Sequence, residues 1–182
     1  MHARRPGGRR SLLLSGASLA MPLMLPTPAH AASLSARALA VIGRIATFLI
    51  PPPTPGAPVL ITYAPNDAAS RADAEAIAAL IGDGLKVGAM TLPTRLADAS
   101  TLSPGHYSLV IAAQGANLPQ ASAAVRASHA LCITADLQAV QGGLCTMVIR
   151  SEPRMDVIVN RSVAVASGID FAVAFRMMIQ EI

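Results

Sequence analysis

The sequence predicts a single α/β domain: a mostly parallel central sheet flanked by helices, with a C-terminal β-hairpin and a terminal helix. Three observations lead there. Short aliphatic, β-favouring runs (Val59–Tyr63, Leu85–Leu92, Tyr107–Ala112, Leu131–Thr134) alternate with stretches of helical spacing, the order that gives parallel strands joined by crossover helices. The last third changes rhythm, with two strand-like runs separated by a short turn. Residues 32–182 are enough for one core, and with no Trp, two Tyr and three Phe that core must be aliphatic.

The first 31 residues stand apart. Arg4, Arg5, Arg9 and Arg10 precede an apolar stretch from Leu12 to Leu25 and the small-residue triplet Ala29-His30-Ala31, the order of a cleavable export signal with cleavage after Ala31. The stretch is interrupted by Gly16 and Pro22 and is shorter than the roughly 20 residues a membrane span needs. Arg9-Arg10-Ser11-Leu12-Leu13 fits a twin-arginine signal, which exports folded domains, and fits equally an ordinary signal with paired arginines. The expected location is the periplasm.

In residues 32–182, Leu34, Ala38, Val41, Ile42, Ile45, Phe48 and Leu49 recur at helical spacing, and Pro51-Pro52-Pro53 ends the run. Val59–Tyr63 is a buried strand. Asn66-Asp67 offers a cap for a helix from Ala68 to Ile81, closed by Gly82 and Gly84. Leu85–Leu92 reads as the next strand, followed by the Pro93 turn and a polar stretch through Ser103. Tyr107–Ala112 is the third strand, Leu118–Ser128 a helix with Pro119 in its first turn, and Leu131–Thr134 the fourth strand. Leu144–Ile149 and Met155–Val159, joined by a turn at Ser151-Glu152-Pro153, form the hairpin. Helical spacing returns at Arg161, breaks at Gly168 and continues as an apolar helix from Ile169 to Ile182, where Asp170 and Arg176 argue against a membrane span.

Charge excludes one class of partner. All ten acidic residues lie after Ala31, whereas four of the fourteen basic ones lie before it, so residues 32–182 are formally neutral. The high isoelectric point belongs to the export signal, and no basic stripe or aromatic platform suits nucleic acid.

Few residues suggest chemistry. Cys132 and Cys145 are the only cysteines, and an even pair in an oxidising compartment reads as a disulfide, with two separately buried thiols as the alternative. His106 and His129 have no ligand at metal spacing and read as surface residues. Asp156 and Asn160 flank the last strand and could mark a polar site, but Asn160 also suits a helix cap. Gly142-Gly143 fits a tight turn or a close approach to a ligand. No nucleophile elbow, catalytic triad or phosphate-cradling loop occurs in residues 32–182, so neither an enzyme nor a cofactor is expected.

One resemblance adds to this reading. Leu131-Cys132-Ile133-Thr134-Ala135-Asp136, then Gly142-Gly143, a hairpin ending in Val157-Ile158-Val159-Asn160, and Ala164 and Gly168 before a terminal helix follow the order of the YfiR-like family of periplasmic proteins. The chain resembles that family most closely in its last fifty or so residues. Its N-terminal helix ends in Ile50-Pro51, where the family has a tryptophan-proline pair. The resemblance implies a repressor that binds the periplasmic sensor domain of a membrane-bound diguanylate cyclase and lowers cyclic-di-GMP signalling. The family's disulfides are tied to redox sensitivity, and this chain has one cysteine pair. Phe171, Phe175, Met177, Met178 and Ile179 are candidates either for the apolar docking patch this activity needs or for the core. The sequence is also compatible with a homodimer and with a periplasmic small-molecule binder, because a parallel sheet leaves a crevice at its strand ends.

Overall fold

The computed structural model describes His2, residues 33–151 and residues 154–182. Apart from His2, the proposed export signal lies outside the described residues, as does the Glu152-Pro153 part of the hairpin turn.

In chain order the elements are α1 (Ala36–Ala46), β1 (Leu49–Ile50), β2 (Val59–Tyr63), α2 (Ala68–Ile81), β3 (Leu85–Val87), β4 (Met90–Leu92), β5 (Thr94–Asp98), β6 (Leu109–Ala112) and α3 (Leu118–Ala127). They continue as β7 (Leu131–Thr134), α4 (Leu137–Gln141), β8 (Met147–Arg150), β9 (Asp156–Val159), α5 (Arg161–Ala166), β10 (Asp170–Phe171), α6 (Val173–Arg176) and β11 (Gln180–Glu181). The main sheet has the order β11-β9-β8-β7-β6-β2-β5. Strands β5, β2, β6, β7 and β8 are parallel, β9 pairs antiparallel with β8, and β11 runs parallel to β9. This is the expected α/β fold.

Side chains alternate between two covered faces, as strand geometry requires. On one, Val59, Ile61, Leu109, Ile111, Leu131, Ile133, Met147 and Ile149 join a core with Leu39 and Ile42 of α1, Ile77 of α2 and the aromatics Phe171 and Phe175. On the other, Leu60, Val110, Cys132, Val148 and Ile158 meet Leu118 and Val125 of α3 and Val140 of α4. Each fully buried Leu, Ile or Val contributes about 1.5–3 kcal/mol relative to exposure. Gly43 lets α1 approach the β3 backbone, since a Cβ there would collide with the Lys86 carbonyl. Ser35 caps α1 through the Ala38 amide, and Asp67 caps α2 through the amides of Ala69 and Ser70. Among the described residues, no helix is long and apolar enough to cross a membrane.

Three segments depart from the sequence reading. The first helix stops at Ala46, and Leu49–Ile50 instead pairs with β10. Pro51 disfavours the helical conformation at the residue before it, and this frees the segment to extend. Leu85–Leu92 is not one strand of the main sheet: it folds at Gly88-Ala89 into the separate hairpin β3–β4. The strand parallel to β2 is β5, drawn from the polar stretch after Pro93. Residues 169–182 do not form one helix. Phe171 pairs with Leu49, the Ala172 amide donates to the Phe48 carbonyl, and the Ile182 amide donates to the Val159 carbonyl, so only the single turn of α6 remains helical. Pairing with neighbouring strands overrides the local helical spacing.

From β2 the chain crosses through α2 to β5 on one side, then returns to β6 on the other side of β2. The direction of winding reverses between β2 and β6. A reversal of this kind, outside the C-terminal ends of the strands, is a common place for a crevice in open α/β sheets.

Candidate functional site

Two regions stand out, one at the strand ends and one in the C-terminal segment. The crevice at the ends of β6 and β7 is about 500 Å³ and is lined by Ser33, Gln114, Gly115, Thr134 and Asp136, among others. Behind it lies Asp73, 1% exposed, on the inward stripe of α2 formed by Ser70, Asp73, Ala74 and Ile77. Its Oδ1 accepts the Ser33 amide at 2.6 Å, and its Oδ2 accepts the Ser33 hydroxyl and the Gln114 amide, each at 2.7 Å. One carboxylate thus ties the segment before α1, helix α2 and the β6–α3 loop together. The sequence reading did not single out Asp73. The signal was available, because the spacing 70, 73, 74, 77 puts an acid on the apolar side of a helix. Asp136, exposed at the crevice, caps α4 through the Gln138 amide.

In the last third, Cys132 on β7 and Cys145 just before β8 form a disulfide, with their Cα atoms 5.0 Å apart. Both residues are buried, and β7 and β8 are neighbours. The bond closes the segment that carries α4 and the paired glycines against the sheet. A cross-link of this span contributes about 3 kcal/mol in the chain-entropy account. Gly142 ends α4, and Gly143 follows with φ of 73°, so the pair makes a turn.

Asn160 is a cap. Its Oδ1 accepts from the Val163 amide at the start of α5 and from the Ser162 hydroxyl, while its Nδ2 donates to the Val140 carbonyl of α4 at 2.8 Å. Asp156 is engaged elsewhere, by Arg154 and Arg150. The two do not form one polar site. His106 and His129, both exposed, line a small cavity of about 140 Å³ with Pro51-Pro52-Pro53, Tyr107 and Ile169. His129 Nδ1 donates to the Ser167 carbonyl at 2.9 Å. Gly168, at φ of 66°, leaves room for the ring, which a Cβ would meet at 2.7 Å. Burial pushes the Tyr107 hydroxyl above the usual phenol range.

The C-terminal segment divides its apolar residues in two. Phe171 and Phe175 are buried, and Phe175 stacks on Phe48 with ring centres 5.6 Å apart. Met177 and Met178 point outward, 83% and 68% exposed, beside exposed Val173. Val173 and Met177 are one helical turn apart and share a face. Val165 on α5 and Ile182 are exposed as well, which concentrates most of the exposed large hydrophobics of the described residues between positions 165 and 182. A cluster of exposed apolar side chains is the surface expected of a protein-docking site.

No family model and no curated protein matches this chain.

Proposed function

We propose that this protein is a periplasmic regulator that binds the sensor domain of a membrane-bound diguanylate cyclase and lowers cyclic-di-GMP signalling. The observation that carries the reading is the exposed apolar cluster Val173, Met177 and Met178, held out by the buried Phe171 and Phe175 beneath it. Methionine suits such a surface because its unbranched, polarizable side chain adapts to a partner. The partner class rests on the resemblance of the stretch from Leu131 to Ile182 to the YfiR-like family. Such a regulator acts by equilibrium: it shifts the cyclase toward an inactive state only by as much as it prefers that state.

The test is intracellular cyclic-di-GMP in a deletion strain, restored with the full chain, with a chain lacking the export signal, or with Met177→Ser/Met178→Ser. Deletion raises the dinucleotide, and only the exported, unsubstituted chain restores it. An unchanged level after deletion would refute the reading.

A second reading, a small-molecule binder, is favoured by the 500 Å³ crevice at the C-terminal ends of the parallel strands β6 and β7. Its signature is a rise in melting temperature with small periplasmic metabolites that is lost on Asp136→Ala.

A further inference from the structure

The chain offers an oxidant no thiol. Its only two cysteines, Cys132 and Cys145, are buried and already joined in a disulfide. The oxidisable sulfur that remains belongs to the methionine thioethers, and their reaction follows their access to solvent.

The described methionines differ widely in that access. Met147 lies inside the sheet on β8 at 0% exposure. Met90 and Met155 are half-buried and pack against the same core. Among the described residues, only Met177 and Met178 hold their side chains mostly in water, and they are consecutive, Met177 closing α6 and Met178 following it. The anchoring of this segment does not depend on them. Phe175 stacks on Phe48 and meets Phe171 with ring centres 5.1 Å apart, and those rings are what join the segment to the core.

A peroxide oxidises such a thioether in one two-electron step. The sulfur lone pair attacks one peroxide oxygen, and the S–O bond forms as the O–O bond breaks. The proton on the transferred oxygen passes to the leaving oxygen, which departs as water, so sulfur is oxidised by two electrons and the peroxide reduced by two. The product is a polar, chiral sulfoxide. At Met147 it would place an oxygen without a donor in an aliphatic core, which is costly. On the outward side of α6 the oxygen meets water.

We propose that Met177 and Met178 form an oxidant-responsive modification site, at which peroxide converts the pair to sulfoxides and replaces the apolar surface beside Val173 with a polar one while the fold beneath is kept. The oxidant is a small two-electron oxygen donor, hydrogen peroxide being the simplest. A sulfoxide reductase, supplying two electrons and two protons, returns the thioether and releases water. The inference shares the exposed cluster with the proposed function and holds whichever partner covers it. A sulfoxide oxygen carried into an interface needs a hydrogen-bond donor opposite, so oxidation opposes docking on this face. A docked partner in turn shields the sulfurs, and the oxidant acts on the free chain.

The experiment treats protein purified from the periplasm with graded hydrogen peroxide and locates the added oxygen by peptide mass spectrometry. Met177 and Met178 should be oxidised at least about ten times faster than Met147, with Met90 and Met155 between them. As the pair reacts, the protein should elute earlier from a hydrophobic-interaction column and melt within about 3 °C of the untreated sample. Met177→Leu/Met178→Leu keeps the side chains apolar without sulfur, and peroxide should leave its retention unshifted. A methionine sulfoxide reductase should return the oxidised protein to its original retention. Equal oxidation of Met147 and the pair, the same retention shift in Met177→Leu/Met178→Leu, a larger fall in melting temperature, or sulfoxides that the reductase does not remove would overturn the proposal. None of these readouts involves cyclic-di-GMP, so failure here is distinct from failure of the cyclase reading.

Discussion

The crevice at the ends of β6 and β7 and the C-terminal segment beside β9 solve opposite problems. At the crevice, a charged group is buried and its hydrogen bonds are nearly saturated: Asp73 accepts from Ser33 twice and from Gln114 once. In the C-terminal segment, apolar groups that could be buried are left in water, with Met177 and Met178 outward and only the phenylalanines inward. A polar group inside and an apolar group outside are both unfavourable on their own. The crevice offsets its cost within the chain. The C-terminal segment has no such compensation in the described residues, which is why it is the better candidate for meeting another protein.

That difference can be broken or sharpened by substitution. Asp73→Ala should have the largest effect, about 3–5 kcal/mol in urea unfolding, because three donors lose a charged acceptor together. A loss under about 1 kcal/mol would mean the crevice carries no such network. Phe175→Ala should cost about 3 kcal/mol and would show that the C-terminal segment is anchored by its inward side. Asn160→Ala, which removes the α5 cap and the bond to the Val140 carbonyl, should cost about 1–2 kcal/mol. Met177→Ser with Met178→Ser should change stability by less than about 0.5 kcal/mol and yet abolish partner capture. If instead that pair destabilised the fold as much as Phe175→Ala, the two halves of the segment would not be distinct.

Much of this architecture was legible in the residues. The strands β2, β6 and β7 are buried on both faces and read as unbroken aliphatic runs, and the disulfide was legible as an even cysteine pair, one member on β7 and the other just before β8. Strand β5 was hidden because it is an edge strand: Thr94-Arg95-Leu96-Ala97-Asp98 needs only partial burial and so carries charge. The terminal helix was over-read because Phe171 and Phe175 keep helical spacing while their backbone groups pair with partners distant in sequence, which periodicity does not register. Asp73 was overlooked among the alanines of α2 for a different reason. An acid on a helix is ordinarily solvated, and only its place on the inward stripe distinguishes it. The outward direction of Met177 and Met178 depends on the break at β10, so composition alone could not separate them from the core.

The place of β11 at the edge of the main sheet has a practical consequence for anyone attaching something to this protein. In the order β11-β9-β8-β7-β6 the Ile182 backbone, bound to Val159 beside β11, lies four strands away from β6, at whose exit Ser33 is held. A reporter fused after Ile182 and a tether joined ahead of Ser33 would therefore leave the molecule at separate places. The tether would crowd the crevice and the reporter would shadow the methionines, so a capture experiment should immobilise the chain through an internal surface site rather than through either of these positions.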